Sequence, residues 1–289
     1  MTSGSPLGNN TSLFIVGCGD LGTRVGALLQ EQGWTVGGCR RNPDPAVGFE
    51  QIAADFSAPG SLDFLERLRP DFLLATFSPT SMDTQGYLRG FSEAAANLVN
   101  GLGEHRPRHL IIASSTRVYA ETTGAWVDET SELSSTDERA RAIVNAEQRV
   151  LLSGHSATIV RFGGLYGTPN SRLLSKVARG DIAPPEPVRY TNRMHRDDCA
   201  GFIVHLLQMN LEGRELAPIY NGVDNNPAPA HEVESWLARS MGCEWSPAIA
   251  PAVARPAGHK RCSNALLHST GYELLYPDYQ AGYSQLLEN

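Results

Sequence analysis

Six residues near the start of the chain, Gly17-Cys18-Gly19-Asp20-Leu21-Gly22, are spaced G-x-G-x-x-G. That spacing suits a pyrophosphate. Gly17 permits a tight turn after a strand, Gly19 lets the backbone approach the phosphates, and Gly22 lets a helix pack close to the strand. The N-terminus of that helix offers free N–H groups and a partial positive charge to the anion. Gly17, Gly19, Asp20, Leu21 and Gly22 are therefore the expected contacts of a nicotinamide dinucleotide. The bland alternative is a merely tight strand–helix turn.

The residue closing the second strand selects between the two dinucleotides. A carboxylate there binds the ribose 2′-hydroxyl, while arginine accommodates a 2′-phosphate. This chain has Cys39-Arg40-Arg41 and no Asp or Glu at that point. Planar guanidiniums engage a phosphate through paired donors, so NADP is favoured over NAD. The alternative for Arg40 and Arg41 is a solvated surface pair. Asp55 follows the third strand and is expected either beside the adenine ring or in a local cap.

The elements that must position these groups are legible from the apolar pattern. Ser12 to Val16 is apolar and ends in glycines, as a strand covered on both faces does. Leu21 to Gln32 has helical spacing. Further strands are expected at Thr35 to Cys39, Gln51 to Ala54, Asp71 to Thr76, His109 to Ser114 and Ala157 to Phe162. Helices are expected at Ser61 to Leu68 with Ser61 as N-cap, at Tyr87 to Leu102 and at Asp137 to Leu152. Strand and helix alternate, which predicts an α/β, Rossmann-type doubly wound parallel sheet. After Arg161, Pro and Gly become denser, and helical patterns remain at Leu173 to Arg179, Asp197 to Met209 and His231 to Met241. The expected organisation is a flexible tail over 1–11, a dinucleotide-binding domain over 12–163 with 195–215 packing back on it, and a small α+β substrate lobe over 164–289.

Composition narrows the classes. With 41% hydrophobic and 19% charged residues the chain is of ordinary globular type. A net charge of −7 leaves no basic field for nucleic acid, and no apolar run approaches the ~20 residues of a membrane span. The five cysteines are scattered, so neither a disulfide framework nor a zinc site is expected, and a reducing, cytoplasmic setting is. His105 and His109 stand four apart, but Pro107 breaks the helix a metal pair would need. No metal is expected.

At Ser114-Ser115-Thr116-Arg117-Val118-Tyr119, taken with the glycine loop, the chain resembles the extended short-chain dehydrogenase/reductases of the NAD-dependent epimerase/dehydratase type. Trp126-Val127-Asp128-Glu129, Arg161 to Gly167, Asn192 to Asp198 and Tyr220-Asn221-Gly222 resemble later motifs of that family, in the same order. The resemblance implies the fold, the cofactor, Ser114 at the cofactor and Ser115 orienting a substrate oxygen. It also implies a Tyr and a Lys four apart on the helix after the serine strand, where the lysine lowers the phenol's pKa. Here Arg139 stands at the Tyr position and Ile143 at the Lys position. No Y-x-x-x-K occurs anywhere in the chain.

The chain thus reads as an atypical member lacking the dyad. Tyr119 is the candidate replacement proton donor, with Arg139 or Arg141 to polarise it. Tyr166 and His195 also lie in segments bordering the cofactor in the family, the alternative for His195 being a structural turn. Two functions stay open: an oxidoreductase or epimerase on a small carbonyl or sugar-like substrate, or a non-catalytic NADP(H)-binding sensor. The resemblance also implies a homodimer through the helix carrying Ala140, Ile143, Val144, Glu147, Val150 and Leu151. The alternative is that this face packs on the chain's own sheet.

Overall fold

A computed structural model describes residues 11–169, 171–245 and 259–288; the tail expected over 1–11 lies almost wholly outside them. In chain order the elements begin with β1 (Ser12–Val16), α1 (Asp20–Glu31), β2 (Thr35–Arg40), β3 (Glu50–Ala53), α2 (Leu65–Leu68) and β4 (Phe72–Ala75). Next come α3 (Thr84–Tyr87), α4 (Ala94–Gly101), β5 (His109–Ser115), β6 (Trp126–Val127), α5 (Glu138–Leu151) and β7 (Ala157–Phe162). They are followed by β8 (Gly164–Tyr166), α6 (Arg172–Ala178), β9 (Tyr190–Thr191), β10 (Arg193–His195), α7 (Arg196–Leu211) and β11 (Ile219–Gly222). The last are β12 (Ala228–Pro229), α8 (Ala230–Ser240), β13 (Arg261–Cys262), α9 (Ala265–Ser269) and α10 (Tyr279–Glu288).

Seven strands form one sheet in the order β11-β7-β5-β4-β1-β2-β3. β1 pairs in parallel with both β2 and β4, β2 with β3, and β4 with β5. The order runs outward in both directions from β1 and β4, which is the doubly wound topology with its switch point between those strands. Its strands are apolar because helices cover both faces: Leu13 to Val16 and Phe72 to Ala75 are all nearly inaccessible. No helix among the described residues is long and apolar enough to cross a membrane.

Two helices differ from the sequence expectation. The helix predicted from Ser61 is confined to α2, because Ser61 donates its hydroxyl to the Asp55 carbonyl at 2.5 Å instead of capping. The helix predicted over Tyr87 to Leu102 starts earlier, at the Asp83 cap, and passes through a wide π turn at Leu88–Glu93. Gly86 and Gly90 lie directly against the Ser78–Ser81 backbone there, where any side chain would collide.

The chain divides into two compact units. One draws its described residues from Met1–Ser114, Ser135–Val160 and Ala200–Ile219, the other from Ser115–Ser134, Arg161–Cys199 and Tyr220–Asn289. Within the first, α5 packs on α3 and α4: Ser92 donates to the Ala142 carbonyl at 2.9 Å and Thr84 to Glu138 at 3.0 Å. Of the α5 face linked to a dimer, Ala140, Ile143, Glu147 and Val150 are at most 2% exposed, Val144 is 9% exposed and Leu151 is half-buried. The second unit has its own core, in which Tyr166, Val177, Leu237, Tyr279 and Tyr283 meet.

Candidate functional site

The glycine loop is fixed by its neighbours before any ligand arrives. Gly17 and Cys18 both donate their amides to the Cys39 carbonyl, at 3.0 and 2.8 Å. Gly17 sits at φ +81°, and a Cβ there would lie 2.8 Å from the Thr76 carbonyl and 3.1 Å from the Phe56 ring. Thr76 closes the loop from the other side, donating its hydroxyl to the Gly17 carbonyl at 2.6 Å. A Cβ on Gly22 would stand 2.8 Å from the Ile15 side chain, so glycine is what lets α1 pack on β1.

Gly19 is different. A Cβ there would find only the Gly17 carbonyl, at 3.8 Å. Gly19 is also the N-cap of α1, and no side chain caps the helix. An open space against uncapped first-turn amides is a cradle that fits a diphosphate. Asp20 opens the helix but turns outward to Arg24, 3.2 Å away.

Arg40 ends β2 half-buried, and Arg41 follows it exposed. Asp55 stands just after β3, and one of its oxygens accepts both the amide and the hydroxyl of Ser57, at 3.0 and 2.7 Å. Burial opposes ionisation of Asp55, but the Ser57 bonds and the nearby Arg41 charge outweigh it and hold the carboxyl below its usual range. Cys18 fills the space behind the loop, with Gln51 donating to its sulfur at 3.5 Å. Burial pushes its thiol up and that of Cys39 up to about 11, so both stay protonated.

Ser114, at the end of β5, donates its hydroxyl to the buried Glu147 carboxylate at 2.5 Å. Where the family's Tyr and Lys would stand on α5, Arg139 lies over the Tyr87 ring at 5.8 Å and Ile143 is core.

The remaining candidates belong to the second unit. Ser115 caps a short turn, its hydroxyl oxygen accepting the Arg117 amide at 3.2 Å. Tyr119 is 3% exposed. Its phenol donates to Asn221 Oδ1 at 2.6 Å and accepts from Arg161 Nη1 at 3.2 Å. Burial pushes its pKa up to about 12, an effect the Arg161 charge only partly offsets. These contacts give Tyr119 a part in holding the fold.

His195 is buried: its Nδ1 accepts the Asp197 amide at 3.3 Å, and its ring packs on Tyr166 and Tyr276. Tyr166 is buried, donates to the Asp278 carbonyl at 3.1 Å and has a pKa pushed far up by burial. Asp198 accepts the Leu275 and Tyr276 amides at 2.7 and 3.0 Å, tying down the segment before α10.

With this geometry in view, the sequence matches the family model described as NAD(P)H-binding over residues 17–210. The chain belongs to that NAD(P)H-binding family. Protein YeeZ of Escherichia coli K12 is 28% identical over 91% of this chain and 96% of its own. A Methylobacillus flagellatus protein, named as a candidate NAD-dependent epimerase/dehydratase, is 34% identical over 96% of this chain and 98% of its own, with a TM-score of 0.81. A human epimerase family protein solved with NADPH shares the fold at a TM-score of 0.75, with 17% identity over 96% and 100% of the two chains. This family member is accordingly an NAD(P)-binding, epimerase/dehydratase-like protein of the extended short-chain dehydrogenase/reductase type.

Several working residues of this NAD(P)H-binding chain escape motif reading. Thr76 was detectable as the polar residue ending an apolar strand at the switch point. Phe56, Gln51 and Glu147 carry no such mark. Lys260 arrives from far along the chain, 4% exposed, and donates to the Thr116 and Tyr119 carbonyls at 3.0 and 3.1 Å. It steadies the backbone after Ser115, and its amine lies over the Tyr119 ring at 5.7 Å.

Proposed function

We propose that this family member binds NADP(H) and uses it in reductase or epimerase chemistry on a small carbonyl or sugar-like substrate. The observation that carries the cofactor choice is the end of β2, where Arg40 and Arg41 stand in place of a ribose-binding carboxylate. The glycine loop would hold the pyrophosphate and the two guanidiniums the 2′-phosphate. The human relative solved with NADPH supports the same choice. The bound nicotinamide supplies the hydride chemistry. Ser115 keeps its hydroxyl proton while its oxygen accepts Arg117, so it can point that proton at a substrate carbonyl. A group other than a Tyr–Lys dyad then moves the proton. The free state of all five cysteines supports a cytosolic setting.

The test is calorimetric titration with NADPH and NADH. At least about tenfold tighter NADPH binding, erased by joint replacement of Arg40 and Arg41 with Ala, is expected. Equal or tighter NADH binding overturns the cofactor choice. A second reading, a non-catalytic NADP(H) sensor, is favoured by the locked Tyr119. It predicts NADPH binding without turnover of any carbonyl in a substrate screen, with Ser115→Ala leaving no activity to lose.

A further inference from the structure

Part of one sheet face in the first unit is bare. Residues paired across a parallel sheet share a face, so Phe14, Gly37 and Glu50, in register across β1, β2 and β3, point the same way. Ser12 and Thr35 form the next such pair toward the strand starts, and Ile52 lies two residues beyond Glu50 on the same face. The crossover from β3 to β4 runs over this face, since Phe64, just before α2, meets Phe14 edge-on at 5.6 Å. Yet α2 is a single turn, Leu65–Leu68, and at 1.5 Å per residue it spans only about 6 Å. β3 is the last strand of the sheet, so no further strand closes that side.

What remains is a cavity of about 280 Å³, lined among others by Phe14, Gly37, Glu50, Ile52, Leu68 and Pro70. Its floor is open because residue 37 is glycine: a Cβ there would stand 3.2 Å from the Phe14 ring. Phe14, Ile52, Leu68 and Pro70 make its walls apolar, and Leu68 is 47% exposed at its edge. Glu50 is the one charged residue in the lining. Its carboxylate has no hydrogen bond or ion pair among the described residues.

An unpaired carboxylate beside an apolar slot is complementary to a ligand with an apolar body and a cationic head. The body covers the walls and the head meets Glu50. An anion is repelled, and a cation without a body gains little from an exposed carboxylate. Taking water's share of about 30 Å³ per heavy atom, the cavity holds roughly nine such atoms.

We propose that this cavity binds a small hydrophobic amine in its ammonium form, with the apolar body over Gly37 and Phe14 and the ammonium on Glu50. The cavity lies at the strand starts, whereas the glycine loop follows the end of β1, so the site is separate from the cofactor's.

The test is calorimetry on the full chain with phenethylammonium, alongside methylammonium (same charge, no body) and 3-phenylpropionate (same body, opposite charge). Phenethylammonium is expected to bind at least about tenfold tighter than either control. Glu50→Gln should weaken it by at least about fivefold and Leu68→Ser by at least about threefold, each with the melting temperature kept. Glu273→Gln, which removes the same charge from an exposed site in the other unit, should leave binding unchanged, as should saturating NADPH. Binding unaffected by Glu50→Gln, equal weakening by Glu273→Gln, equal binding of 3-phenylpropionate, competition by NADPH, or no binding of phenethylammonium at millimolar concentration each overturns the proposal.

Discussion

The Tyr119 phenol donates its proton to Asn221 Oδ1 over 2.6 Å, joining positions 102 residues apart in sequence. Tyr119→Phe strips Asn221 of a donor and Arg161 of an acceptor, both buried. A loss of about 1–2 kcal/mol in urea unfolding is expected, with NADPH affinity unchanged. Abolished turnover at unchanged stability would instead return Tyr119 to the chemistry.

Two loop glycines, Gly19 and Gly22, should separate binding from folding. Gly19→Val places a side chain in the open cradle and should weaken NADPH by ten- to a hundredfold, about 1.4–2.8 kcal/mol, with the melting temperature kept. Gly22→Ala forces a methyl against Ile15 and should cost about 1–3 kcal/mol of stability. The idea fails if Gly19→Val unfolds the protein as readily as Gly22→Ala does.

His109 sets an acid limit on stability. Its ring is buried, with Nδ1 2.7 Å from Ser156 Oγ and Nε2 2.9 Å from Thr158 Oγ1. Burial pulls its pKa down to about 4. A depressed histidine favours the fold above its unfolded value of about 6.5, and that stability is lost as pH falls through the folded value, up to about 3 kcal/mol. His109→Gln should flatten the stability slope between these two pH values. An identical slope in the variant would count against the assignment.

Asp224 acts in the opposite sense. It is 1% exposed, and burial pushes its pKa up to about 7 despite the Arg193 charge nearby. Among the described residues its Oδ2 has no hydrogen-bond partner, nor has Arg193 Nη1. A raised acid contributes stability that is complete below its unfolded pKa and lost as pH rises through the folded one. Asp224→Asn should therefore stabilise by about 1–3 kcal/mol at pH 8 and much less at pH 5, read by denaturation at both. A variant less stable than the parent at pH 8 would refute this.

The fold was legible because its signals are local. Apolar runs such as Leu13 to Val16 and the helical spacing of Val25 and Leu29 needed no distant partner to be read, and Asp137 caps α5 as its type suggests. The cofactor loop was legible for the same reason, since glycine spacing encodes backbone geometry directly. The hydrogen bonds of Tyr119 were not legible because they depend on Asn221 and Arg161, whose proximity only the folded chain creates. The same holds for Ser61, whose hydroxyl went to a carbonyl six residues back instead of to a helix end.

The chain has two lysines, Lys176 and Lys260, against twenty-two arginines. Both amines are engaged, Lys176 with Glu234 at 2.7 Å and Lys260 on two carbonyls. Side-chain acylation of the native protein therefore has Lys176, 30% exposed along its side chain, as its accessible target, while Lys260 is 4% exposed. Lys260 can react only when its segment opens, so the rate at which an amine reagent marks it becomes a clock for local unfolding. A peptide map of that single position would time the breathing of the C-terminal half without any engineered probe.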